Sequence, residues 1–457
     1  MQPALRRVAR GMRLSELCSV HLTGRGSCSD SSFANLGQAV CLGRVNSPKA
    51  TWPMVSLTVL TGLNLLDYLD RQLLAAVLPA LQAEMKFGDE QAGTIATAFM
   101  LGYFLTAPIF GYLGDRLSRR ALIAVGVFVW SLGTLLSGHC GTLGALIFFR
   151  VLVGFGEASF GTISPGWIAD LFPAARRNNA ISIFYLAIPV GSALGYILGG
   201  FMAARYGWRS AFLWAGYPGL VLALGMFFLP EPARGATESA ESKPPAQAPG
   251  WRVYGQLLGY RSYVLVVAGY IAQTFALGGF AFWAPTFLHR VHGMDVEAAG
   301  KFFGLSLVVT GLVATLAGGY VATWWQRRTG TGYAWVLALS SLAAAPAAYA
   351  AFALGDLAAA KLGLIAAMAL LFLATGPVNT LILETVPPAM RACAMAGSIF
   401  AIHLCGDLWS PKLVGYLSDQ WGNLQRATLW VLPAALVVSA FFWGWLVWHT
   451  HRSRAQS

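Results

Sequence analysis

Apolar runs long enough to cross a lipid bilayer recur along almost the whole chain, each ended by a short polar or basic connection, and no other feature constrains the fold as much. A helical span needs ~20 predominantly apolar residues, and backbone inside hydrocarbon must satisfy its own hydrogen bonds, so runs of this length fold as transmembrane helices. The composition agrees: 56% of the 457 residues are hydrophobic and 11% are charged, where roughly a quarter charged is usual for a soluble domain. Setting aside a polar head and one polar central stretch, the length leaves room for about twelve spans, with starts expected near residues 53, 91, 121, 145, 181, 211, 262, 302, 333, 361, 395 and 428. The 51 glycines and 21 prolines suit such packing, because small residues let membrane helices approach and proline is tolerated in them.

A net charge of +12 would suit a nucleic-acid partner, but its placement reads as topology instead. Arg116, Arg119 and Arg120 follow the second span, Arg176 and Arg177 the fourth, Arg327 and Arg328 the eighth and Arg391 the tenth, and Arg452 and Arg454 close the chain. The opposite connections are less basic, although Arg205 and Arg209 depart from the pattern. Basic residues gather on the cytoplasmic side of membrane proteins, so both termini are expected in the cytoplasm. Residues 1–50 are basic and serine-containing, with no long apolar core; they read as a disordered cytoplasmic head and not as a secretory signal peptide. Of six cysteines, Cys18, Cys28 and Cys41 lie in that head and Cys140, Cys393 and Cys405 in or near spans. No CxxC pair occurs, so no metal, cofactor or disulfide framework is expected.

The chain also repeats itself. GYLGDRLSRR at 111 matches GYVATWWQRR at 319, an offset of 319 − 111 = 208, and DLFPAARRNNA at 170 matches ETVPPAMRACA at 384, an offset of 384 − 170 = 214. GYILGG at 195 matches GYLSDQ at 415 more weakly, at 415 − 195 = 220. The expected fold is therefore an all-α membrane protein of twelve transmembrane helices in two pseudo-symmetric six-helix halves, with a site between them near the midplane. The organisation predicted is a head at 1–50, a first half at 51–229, a flexible Pro-, Ala-, Ser- and Glu-rich linker at 230–260, a second half at 261–449 and a tail at 450–457.

Charges inside the spans are the candidate functional residues. Asp67, Asp70 and Arg71 are spaced i, i+3 and i+4, on one helical face. Left unpaired against lipid, such a trio would cost roughly 8 to 10 kcal/mol, so it must face protein or water. Arg150 and Glu157, seven residues apart, share a face of the fourth span. Asp70 with Arg71, or Arg150 with Glu157, could merely pin helices together; alternatively, a neutralisable carboxylate beside an arginine is a proton switch, protonation freeing the arginine to hold an anion. His403 and Asp407, one turn apart, read either as packing residues or as a proton relay. Phe280, Phe282, Trp283 and Phe287 cluster around Pro285 in the seventh span. They suit core packing, a gate or the wall of an acyl-chain cavity.

The string GYLGDRLSRR resembles the GxLxDRxGRR loop of the major facilitator superfamily, with Ser118 where that family usually has glycine. The narrower strings DYLDR at 67, GEASFGTISP at 156, SIFYLAIPVGSALGY at 182, FAFWAPTFL at 280 and HLCGDLWSPKLVGYLSD at 403 resemble the spinster family of lipid transporters, from about residue 55 to 425. Asp67 departs from that family's common asparagine. The resemblance implies a rocker-switch carrier for amphipathic lipids such as lysophospholipids or sphingoid-base phosphates, often proton-linked. It implies coupling and headgroup roles for Asp70, Arg71, Arg150 and Glu157. It further implies a conformational latch of Gly111, Gly114, Asp115, Arg116, Arg119 and Asp170, in which Gly114 lets the second span approach the eleventh and Asp115 faces that helix's N-terminus. The expected partners are a small amphipathic lipid, protons and the bilayer, with no nucleic acid, and the expected state is a monomer in the cell inner membrane. An exporter of small organic anions or drugs would use the same fold. A membrane enzyme finds no support, since neither HExxH nor GxSxG occurs.

Overall fold

The computed structural model describes residues 52–234, 236–237, 252–387 and 390–455. The expected head, and residues 235 and 238–251 of the expected linker, lie outside the described residues. Twelve spans follow in order, and no strand occurs among the described residues. In the first half they are α1 (Trp52–Met85), α2 (Asp89–Gly114), α3 (Arg119–His139), α4 (Leu143–Leu171), α5 (Ala174–Tyr206) and α6 (Trp208–Met226). In the second half they are α7 (Arg261–His292), α8 (Val296–Thr329), α9 (Gly332–Ala353), α10 (Leu357–Leu373 continued by Thr375–Glu384), α11 and α12 (Leu424–Ala455). α11 is composite: Arg391–Ile402, a π-helical turn His403–Asp407, then Ser410–Trp421. A short helix, Arg252–Leu257, precedes α7.

Ten of the described helices are long and apolar enough to cross a membrane by length and composition. The other two spans are α1, with three charges at its middle, and α6, which opens on Trp208, Arg209 and Ser210. α10 breaks at Ala374 because Pro377 has no N–H for the Leu373 carbonyl and its ring crowds that group.

The duplication is visible as a repeated pattern of packing. α1 lies on α5 as α7 lies on α11, α2 on α4 as α8 on α10, and α3 on α4 and α6 as α9 on α10 and α12. Across the halves the main contacts are α5 with α8 and α2 with α11. These contacts lie toward the end of the bundle that carries Asp89. A Cβ at Gly415 of α11 would come within 2.1 Å of the Asp89 carbonyl, and one at Gly300 of α8 within 2.4 Å of the Tyr196 carbonyl of α5, so only glycine permits either approach. The opposite segments, Thr375–Glu384 and Arg391–Ile402, pack chiefly within their own half. The two halves are thus sealed at the Asp89 end and part toward the end bearing Arg119, Arg176 and Arg391.

Candidate ion-coupling and substrate site

α1 and α4 pair their charges crosswise. Arg71 Nε donates to Glu157 Oε2 of α4 at 2.8 Å and to Asp67 Oδ1 at 3.3 Å. Arg150 Nη2 of α4 donates to Asp70 Oδ1 at 3.3 Å, while Thr134 of α3 donates its hydroxyl to Asp70 Oδ2 at 2.5 Å. The expected pairing of Asp70 with Arg71 and of Arg150 with Glu157 is therefore corrected: Arg71 meets Glu157 and Arg150 meets Asp70 across α1 and α4, and only Arg71 with Asp67 pairs within α1, because packing turns the charged face of α1 onto α4 and α3. Asp67, Asp70, Arg150 and Glu157 are fully buried. Arg71 alone keeps appreciable exposure, 17% of its side chain, and its guanidinium lies 4.8 Å from the ring centres of Tyr68 and Tyr103.

His403 and Asp407 meet, with His403 Nδ1 3.0 Å from both Asp407 oxygens. The π turn that presents them is closed by Leu408 N donating to the His403 carbonyl at 3.2 Å, an irregularity of the kind often found at functional sites. Asp407 faces α7, where a Cβ on Gly278 would lie 2.6 Å from its own Cβ. The pair belongs to the α7 side, apart from the α1–α4 cluster.

The helix-7 aromatics lie in the packed core, where none of Phe280, Phe282, Trp283 and Phe287 exceeds 7% exposure. Phe280 and Phe287 pack on Phe352 with ring centres 5.1 and 4.8 Å away, and Trp283 donates to the Pro411 carbonyl at 3.0 Å. In this conformation they are packed against α9 and α11 at the sealed end and present no exposed wall to an acyl chain, since Phe352 and the Pro411 carbonyl occupy their faces.

The expected latch is held within the first half. Arg119 Nη1 lies 2.5 Å from Asp170 Oδ2, tying the start of α3 to the end of α4. Arg116 stacks over Tyr112 with its Cζ 3.5 Å from the ring centre, and Asp115 is exposed. Gly114 faces Ile163 of α4 and Gly111 faces Thr162, so the expected approach of Gly114 to α11 and the docking of Asp115 on that helix are not made here. The reason is the parting of the halves at this end. Residues expected to be flexible linker hold the loop instead. Glu231 accepts from the Ser118 hydroxyl at 2.6 Å and the Arg119 amide at 2.8 Å, and Arg234 Nη2 donates to the Leu117 carbonyl at 2.7 Å. Partial burial works against the charge of Glu231, but the Ser118 hydroxyl, the Arg119 and Arg120 amides and the Arg120 guanidinium outweigh it and hold the carboxyl below its usual range.

Asp419, outside the candidate residues of the sequence, joins the two halves at the sealed end. Its carboxylate, near the C-terminus of α11, accepts from the backbone amides of Asp89 at 2.9 Å and Glu90 at 2.8 Å, capping the N-terminus of α2 across the two halves. Ser418 donates to Asp89 Oδ2 at 2.6 Å, and Arg290 of α7 donates to Asp89 Oδ2 at 2.8 Å. The signal was present: GYLSD at 415–419 echoes GYLGD at 111–115.

The profile of the Major Facilitator Superfamily matches residues 60–406. The chain is 33% identical over 409 residues to Protein spinster homolog 1 of Xenopus laevis, covering 85% of this chain and 78% of that protein. It is 34% identical over 384 residues to the Sphingosine-1-phosphate transporter SPNS2 of Danio rerio, covering 80% and 76% respectively. In fold it is similar to the crystal structure of a bacterial homolog to the human lysosomal transporter spinster in an inward-facing, unoccupied conformation, with TM-score 0.77, 23% identity and coverage of 88% of this chain and 96% of that one. With twelve spans in two matching halves and a charged centre between α1 and α4, the chain belongs to the spinster family of the major facilitator superfamily and is a multi-pass membrane transporter, not an enzyme.

Proposed function

We propose that this transporter moves an amphipathic anionic lipid with a single acyl chain, of the lysophospholipid or sphingoid-phosphate type, by alternating access coupled to protons. The observation that carries the reading is the position of Arg71: it is the one partly exposed member of a buried charge cluster, held by carboxyls that a proton can neutralise. Protonation of Glu157 would weaken its bond to Arg71 Nε and leave the planar guanidinium, already flanked by two tyrosine rings, to take a phosphate as a two-pronged donor. Deprotonation would restore the ion pair and expel the anion. Protonation of Asp70 would release Arg150 in the same way. The lipid class draws its support from the name of the zebrafish relative and from the aromatic surroundings of the arginine.

By the positive-inside rule we place the basic end, and both termini, in the cytoplasm of a cell whose inner membrane holds the protein as a monomer. The conformation is then inward-facing, with the Asp419 cap and the α7 aromatics as the outer seal. On reversal, Asp115 would cap the N-terminus of α11 as Asp419 now caps α2, favoured by the helix dipole.

Binding of a lysophosphatidyl series tests the lipid reading. Each added buried methylene contributes ~0.8 kcal/mol, roughly fourfold in affinity, so affinity should climb with chain length and fall in Arg71→Ala. A flat series, or displacement by a compact hydrophilic anion, would point to an exporter of small organic anions.

A further inference from the structure

We propose that Asp67 and Glu157 hold one proton between them, making a carboxyl–carboxylate pair astride Arg71 that is a proton-binding site distinct from Asp70. The inference rests on the proton-coupled reading above and names where a proton resides. The charges set the requirement. The cluster holds two cations, Arg71 and Arg150, against three carboxyls, Asp67, Asp70 and Glu157. All but Arg71 are fully buried. With every carboxyl ionised, a buried negative charge would be left over; one proton makes the count even, and buried charge without a counter-charge is strongly disfavoured.

Geometry places that proton. Asp70 has its own cation in Arg150 and a second donor in the Thr134 hydroxyl. Asp67 and Glu157 must instead share the single Nε of Arg71, at 3.3 and 2.8 Å. Bound to one and the same nitrogen, the two carboxyls crowd each other, and a buried pair of like charges so placed is relieved by a proton between them. Glu157 Oε1 is buried and has no hydrogen-bond donor, so it is the oxygen left to carry the hydrogen. The other titratable or charged groups around the pair are Tyr68, Asp70 and Arg71 on α1, Tyr103 on α2, Arg150 on α4 and Tyr185 on α5. None of the tyrosines supplies a second positive charge. Loss of the shared proton leaves both carboxylates on Arg71, and the grip on the guanidinium tightens.

Infrared spectroscopy of the purified full chain, without substrate, tests this directly. At neutral pH the wild type should show the C=O stretch of one protonated carboxyl that disappears in Asp67→Asn, because Glu157 then ionises against Arg71 alone, and also in Glu157→Gln. Should Asp67→Asn fail to fold, the shape-conserving Glu157→Gln gives the same reading. A wild type lacking the band, or a band surviving in either variant, overturns the shared proton. Because no lipid or gradient enters the measurement, its outcome is separate from the fate of the lipid-transport reading.

Discussion

Removing the carboxylate of Asp419 should weaken the seal between the halves by a predictable amount. In Asp419→Ala the amides of Asp89 and Glu90 lose acceptors at 2.9 and 2.8 Å. Asp419 is exposed, so water replaces the lost bonds and the penalty is that of an ordinary N-cap, ~1 kcal/mol, with ~0.5 kcal/mol more for the lost negative charge at a helix N-terminus. Together these shift the balance of sealed and open forms about tenfold. The Asp89 contacts to Ser418 and Arg290 remain, so the seal is biased and not abolished. Spin labels at the exposed positions 83 and 420, in a background without native cysteines, would report the distance between α1 and α11. The longer-distance population should grow about tenfold in Asp419→Ala and less in Asp419→Asn, which keeps one acceptor oxygen. An unchanged distribution, or a shift toward the shorter distance, would refute the cross-half cap.

Gly415→Ala should open the same end, since its Cβ would lie 2.1 Å from the Asp89 carbonyl; overpacking of this sort costs ~1 to 3 kcal/mol, and the same label pair should lengthen. Asp70→Asn leaves Arg150 buried without its carboxylate, so the melting temperature should fall by the equivalent of ~3 kcal/mol or more, and stimulation of transport by a pH gradient should be lost. Glu231 is held below the usual carboxylate range, so its contribution is present above that range and lost as pH falls through its folded value. Amide exchange at Arg119 and Arg120, corrected for its intrinsic pH dependence, should rise at acid pH, and should already be raised at neutral pH in Glu231→Gln.

The spans were legible because hydropathy reports the bilayer directly, and most helices begin within a few residues of where the apolar runs begin. α5 and α8 start earlier than expected, at Ala174 and Val296, because a helix continues past the hydrocarbon through polar residues such as Arg176, Arg177, Glu297 and Lys301. Hydropathy sees the membrane, not the hydrogen-bond ladder. The members of the charge cluster were legible from their cost in lipid, but spacing fixes only which face of a helix they occupy. Which arginine meets which carboxylate depends on how α1 lies against α3 and α4, and that choice was invisible along the chain. The helix-7 aromatics show the same limit, since an aromatic stripe looks alike whether it lines a cavity or closes one. Asp419 escapes a reading along the chain because GYLSD aligns by repeat position with GYILGG, whereas its own ending, Gly-Tyr-Leu-x-Asp, matches GYLGD on the helix it docks against.

Transport in proteoliposomes tests the coupling most directly. With purified protein and a labelled single-chain lysophosphatidyl lipid, an imposed pH gradient should drive lipid across the membrane. A protonophore should collapse that flux, and Arg71→Ala and Glu157→Gln should each abolish the response to the gradient. Lipid flux that is indifferent to the gradient, or a full gradient response in Glu157→Gln, would contradict a carrier driven by protons at the α1–α4 cluster.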